Sequence, residues 1–220
     1  MKNGNYPVEC VMLPEGLLHS MAFNLVERPD TEILYRLVGS REDDHFNVSG
    51  IHLPLTTRRQ DGSVGYRSES ARDRMDAYER AVLDSVKGNG AARFIGESHS
   101  HNAVYDPVLS RADFRAIRED MERLRLKEWL EIVHAFCYEV NSPGWFSGKE
   151  YRRRGARVVH RIGLDLPDKN SELRVVSAAF HVKYGERRLT VKEVPLVIPE
   201  RSGGWLRRFL FGGTNDTGSR

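Results

Sequence analysis

Apolar positions along this chain recur with two periods, and the switches between them lay out the elements. Val8 to Leu13 reads as a short strand. Leu17, Leu18, Met21, Phe23, Leu25 and Val26 then recur at roughly helical spacing up to Arg28, with Pro14 suited to the first turn. Pro29-Asp30 breaks that helix. Glu32 to Val38 predicts a strand ending at Gly39, and Phe46 to Leu55 predicts another beyond a polar loop at 41–45. Arg58 to Tyr66 reads as a turn or mobile hairpin tip punctuated by Asp61-Gly62. Ala71 to Val86 has a helical pattern and stops at Lys87-Gly88-Asn89-Gly90. An apolar run of Ala91, Ala92, Phe94 and Ile95 leads into a strand that carries His99 and His101 at its end. Ser110 opens a helix to Leu126, and Trp129 to Val140 predicts a buried strand before a loop at 141–148. Val158 to Leu166, Leu173 to Tyr184 and Arg187 to Ile198 read as strands, the last two folded into a hairpin by Gly185-Glu186.

Strands alternating with helices predict an α/β fold, a mixed central β-sheet flanked by helices. The expected organisation is a main domain over 1–166, a C-terminal β-hairpin extension over 167–200, and a linker with a disordered tail over 201–220. With 220 residues and 40% hydrophobic positions the chain can bury a real core. No stretch reaches the roughly 18 apolar residues of a membrane span, and the N-terminus lacks a signal-peptide pattern, so no membrane span is expected. Two cysteines, Cys10 and Cys137, make no disulfide framework; they fit buried packing roles in a reducing, cytoplasmic setting. A net charge of +3 permits an acidic partner without requiring one, and no nucleic-acid-binding module is recognisable. The run Arg152-Arg153-Arg154 with Arg157 reads as a solvated face. Trp205 to Phe211, which mixes aromatics with arginines, is the best candidate for an interaction motif.

Chemistry concentrates at Gly96-Glu97-Ser98-His99-Ser100-His101 and at Ser110-Arg111-Ala112-Asp113. Two histidines one residue apart on a strand point to the same face, with Cα atoms about 6.6 Å apart. Both rings then reach one ion at zinc–nitrogen distances of about 2.0–2.1 Å. A carboxylate from the next element completes a three-ligand set with an open fourth position, the form of a catalytic zinc site. Glu97 is a rival ligand because it shares that strand face, but about 13 Å separates it from His101 in an extended strand. Asp106 replaces Asp113 only if its loop folds back. Glu32, at the head of an apolar strand, is the leading candidate base; Glu27 competes from within the preceding helix.

Glu32 with Gly39, His99-Ser100-His101 and Ser110-Arg111-Ala112-Asp113, in that order, resemble the JAMM (MPN or JAB) family of zinc metalloproteases over most of residues 8–165. Gly96-Glu97 ahead of the histidines is similar to its prokaryotic members. The resemblance implies a JAB-like, cytidine-deaminase-like three-layer fold and one Zn2+ held by His99, His101 and Asp113. It also implies Glu32 as general base on an activated water and Ser110 as a donor to the developing oxyanion. The substrate it implies is a protein or peptide amide bond, including an isopeptide link to a ubiquitin-like protein, with the Arg58–Tyr66 segment forming part of an extended-peptide groove. Three positions depart from the family pattern. Eight residues rather than seven separate His101 from Ser110, Asn102 stands where a proline is usual, and Tyr35 stands in place of a glycine. Ser110 with Asp113 equally satisfies a helix capping box, and the two roles can coexist. The alternative reading is a catalytically silent scaffold of the same fold.

Overall fold

The computed structural model describes residues 7–27, 32–52, 57–60, 63–66, 73–74, 77, 81, 93–101, 107–139, 151–153, 156–159, 161–167, 172–185 and 188–199. The predicted 141–148 loop, Asp106 and everything beyond residue 199 lie outside these. Among the described residues, α1 (Glu15–Glu27) and α2 (Arg111–Leu124) are helices. Thirteen strands are β1 (Cys10–Met12), β2 (Leu34–Arg41), β3 (His45–His52), β4 (Thr57–Gln60), β5 (Ser63–Tyr66), β6 (Arg93–His101), β7 (Glu128–Glu139), β8 (Tyr151–Arg153), β9 (Ala156–Val159), β10 (Arg161–Pro167), β11 (Glu172–Tyr184), β12 (Leu189–Val194) and β13 (Leu196–Pro199). Within the predicted 71–86 helix, the described positions 73, 74, 77 and 81 are helical and exposed.

The fold is α/β, built on one mixed sheet ordered β10-β11-β7-β6-β2-β3-β1-β13-β9-β8, with β4 and β5 paired apart as a hairpin. Parallel pairing joins β6 to β7, β1 to β3 and β1 to β13. The expected hairpin forms, with Tyr184 opposite Leu189. Along its other edge β11 pairs with β7 from Glu172 to Lys183, so this long strand stands inside the sheet. From β12 the chain runs through Pro195 into β13, which lies beside β1. Proline has no N–H for a ladder and interrupts the strand there; its carbonyl still accepts from Val11 N–H at 2.9 Å. The circuit β11-β7-β6-β2-β3-β1-β13-β12 therefore returns to β11, giving the sheet a nearly barrel-like closure.

Each helix covers a different side of β6 and β7. Leu18, Met21 and Leu25 of α1, at helical spacing, enter the main apolar cluster with Tyr35, Leu37, Phe46, Leu130, Ile132 and Val175. The carbonyl of Pro14 accepts from Leu17 and Leu18, tying down the helix start. Phe23, which the apolar pattern placed with that stripe, is 57% exposed on the far side of α1. On the other side, Ile117 and Met121 of α2 pack on Trp129 and Val182. Gly39 sits at a bulge where a Cβ would stand 2.0 Å from the Asn47 carbonyl oxygen, and at Gly96 a Cβ would stand 1.7 Å from that of Leu130. Only glycine allows the flanking strands to close at these two points.

Candidate metal centre

β6 lies between β2, antiparallel, and β7, parallel, and its side chains alternate between the two faces. Ser98 and Ser100 face the α1 side. His99 and His101 face α2, whose first turn delivers Asp113. A capping box starts that helix: Asp113 N–H donates to Ser110 Oγ at 3.2 Å, and Ser110 N–H donates to Asp113 Oδ2 at 2.5 Å. The cap thus fixes the carboxylate at the helix end nearest the imidazoles. Among the described residues, His99, His101 and Asp113 form the group able to hold a metal ion, each offering one atom within 4.8 Å of the others.

The two Nε2 atoms stand 2.9 Å apart, His101 Nε2 is 3.2 Å from Asp113 Oδ2, and His99 Nε2 is 3.4 Å from Asp113 Oδ1. Ligand atoms placed tetrahedrally about 2.0–2.1 Å from a zinc ion lie roughly 3.3 Å from one another. The imidazole nitrogens stand near that value from each other and each from its own carboxylate oxygen, and with one atom per residue the set lies within 4.8 Å, close enough to gather around a small divalent cation. Imidazole nitrogens this close need a proton or a cation between them, because two lone pairs would otherwise face each other.

Charge at the cluster follows from burial and close contact. Burial alone would lower the His99 imidazole, but hydrogen bonds with Asp113 and Glu131 outweigh it and raise the group to about 10. Burial likewise pulls the Asp113 carboxyl up, and the hydrogen bonds from His101 and His99 hold it well below the usual carboxylate range. The site is built to hold positive charge.

Behind it lie residues that sequence reasoning did not single out. His99 Nδ1 lies 2.7 Å from Glu131 Oε1, and the Trp129 indole donates to Glu131 Oε2 at 2.6 Å. Glu131 is 1% exposed, and its burial raises its carboxyl above the ordinary range against the opposing pull of His99. A second buried group joins the two elements: Arg36 of β2 pairs with Glu97 and, at 3.0 Å, with Asp120 of α2. Asp120 also accepts from Arg123 at 2.6 Å. The available signal was a charged residue inside an apolar strand, Glu131 between Leu130 and Ile132, which requires a buried partner.

Glu97 is buried, and its carboxylate engages Arg36. The strand-length argument against it as a ligand therefore agrees with the geometry. Ser110 is exposed beside Asp113; its oxygen accepts the cap bond, and its hydroxyl proton remains able to donate. Glu32 is half-buried just ahead of β2. Leu34 pairs with His99, while Ser100 N–H donates to Ile33 O at 3.0 Å and Ile33 N–H donates to Ser100 Oγ at 2.9 Å. Glu32 thus stands one residue ahead of Ile33, whose backbone is bonded to Ser100, and two ahead of Leu34, the partner of His99. Tyr35, by contrast, is buried in the α1-side cluster opposite Ser98, away from any groove over the histidines.

No family model matches this chain, and no curated protein does. Among solved structures, the solution structure of protein DSY2949 from Desulfitobacterium hafniense is similar over 84% of this chain and 92% of its own, at 15% identity and a TM-score of 0.44. That likeness is too loose to carry fold or function. Among the described residues, no helix is long and apolar enough to cross a membrane.

Proposed function

We propose that this protein is a zinc-dependent metallopeptidase or isopeptidase of JAMM type that hydrolyses an amide bond in a protein or peptide. The observation that carries the reading is the convergence of His99, His101 and Asp113, whose ligand atoms lie within 4.8 Å of one another. Their N2O chemistry suits zinc with an open fourth position. Zinc bound there supplies Lewis acidity and lowers the pKa of water toward about 7. Glu32, just ahead of the strand that pairs with the histidine strand, is the proposed base that takes a proton from the attacking water and passes it to the leaving amine nitrogen. Ser110, still able to donate from its capped position, would hydrogen-bond the substrate carbonyl oxygen as charge develops on it. Helices on two sides of a mixed sheet also support the JAB-like three-layer arrangement.

Metal analysis beside hydrolysis tests the reading. The parent protein should bind one zinc, Asp113→Ala should bind none, and Glu32→Gln should keep the ion while losing cleavage of ubiquitin-like fusions and model peptides. A parent without zinc overturns the proposal and favours a silent scaffold. Full activity in Glu32→Gln moves the base elsewhere.

A further inference from the structure

We infer that Glu131, locked by the Trp129 indole, is a positioning residue that fixes the tautomer and orientation of His99 for metal binding. The inference rests on the proposed zinc centre and adds two residues to it. An imidazole can ligate through either nitrogen, and it binds well through one only when the other holds its proton in a fixed direction. His99 meets that condition. Its Nδ1 is turned to Glu131 at 2.7 Å, leaving Nε2 facing Asp113 and His101.

A flexible carboxylate would make a poor anchor, and Glu131 is held at both ends. One oxygen is engaged by His99, the other by the indole N–H at 2.6 Å. The indole cannot swing away, because Trp129 is fully buried against Ile117 and Met121 of α2 and Val182 of β11. The Arg36 guanidinium lies 6.0 Å from its ring centre. α2 therefore acts twice: its first turn presents Asp113, and its middle turns clamp the tryptophan that orients His99 through Glu131. Both halves of the donor set are referenced to one packed cluster. Register explains how β7 reaches the site at all. Glu131 pairs with Glu97 across the parallel ladder, and Val133 with His99, so Glu131 approaches the imidazole diagonally along the same face.

A purely structural acid would be indifferent to metal, and that difference is measurable. Glu131→Gln keeps shape and volume but offers one acceptor where glutamate offers two, so either His99 or Trp129 is left facing an amide NH2. Zinc affinity measured by chelator competition should weaken about 10- to 100-fold, the usual loss when such an outer partner is removed. The visible spectrum of the cobalt-loaded protein should change with it. Trp129→Phe keeps an aromatic ring while removing the N–H and the volume of the second fused ring; it should weaken zinc less than Glu131→Gln does, and in the same direction. Melting of the metal-free proteins should fall in both variants, because each leaves a buried polar group unpaired, so zinc affinity is read on folded protein while melting reports the scaffold separately. In the metal-free parent, nitrogen-15 labelling should reveal a downfield Nδ1 proton of His99 that is lost in Glu131→Gln. Zinc bound equally by the parent and both variants, or a downfield proton that persists in Glu131→Gln, overturns this inference while leaving the metal centre standing. Absence of zinc from the parent removes both.

Discussion

α1 and α2 cover the same strands from two sides and do so by different physics. Residues Leu18, Met21, Ala22 and Leu25 form the buried stripe of α1, all apolar. The corresponding stripe of α2 interleaves Asp113 and Asp120 with Ile117 and Met121. Burying apolar side chains contributes about 1.5–3 kcal/mol each, whereas burying charges costs more than it returns unless each is paired. The α1 contact is therefore what a fold needs. The α2 contact, with its Arg36, Glu97, Asp120 and Glu131, is more costly than folding requires, which is what the proposed metal centre would explain.

Substitutions on the two sides should separate these roles. Asp113→Ala should have the largest effect, abolishing zinc retention and hydrolysis; metal-free melting should fall as well, because the capping contact and the carboxylate's contacts with His99 and His101 are all lost. Retained zinc in that variant would make the polar face a structural device. Arg36→Ala removes the cation beside buried Glu97 and one of the two beside Asp120, and should cost about 3–5 kcal/mol in denaturant unfolding. Met21→Ala on the apolar side should cost about 2–5 kcal/mol while leaving the zinc affinity of the folded fraction unchanged.

Acid supplies a finer probe of the apolar side. There His134 sits fully buried between Ser98 Oγ at 2.7 Å and Ser177 Oγ at 2.6 Å. Burial, reinforced by the charge on His99, depresses its ring from 6.5 to about 3. Between those values the unfolded chain takes up a proton that the folded chain refuses. Stability from this group is thus complete above pH 6.5 and drains away as pH falls toward 3, by up to about 1.4 kcal/mol per unit. Urea midpoints for the parent and His134→Gln across that window should converge as the pH drops; parallel curves would remove His134 as the cause. The smallest effect is expected of Ser110→Ala, about 1 kcal/mol from the lost cap, with a separate fall in turnover if its hydroxyl touches substrate.

How much of this was legible follows from the range over which each signal acts. His99 and His101 share a face by strand alternation alone, and Ser110 with Asp113 announces a helix start within four residues. Both are local, so the donor set could be assembled before any coordinates. Glu131 reaches His99 across 32 positions and Arg36 reaches Asp120 across 84, with no periodicity to link them. The outward turn of Phe23 was hidden for another reason: a stripe of apolar residues says which face is buried but not where its margin falls. Closure of the sheet through Pro195 was equally silent, because strand partners are chosen by the whole chain.

That closure sets the order of assembly. β1 is held between β3 and β13, with Val11 beside Leu196, so β1 waits for a segment that is made much later. A nascent polypeptide halted after Tyr184 exposes the unmatched edges of β1 and β11 together, two templates for sticking to neighbouring copies. Refolding should accordingly be slow and dilution-dependent, its rate set by how long those ends take to find each other.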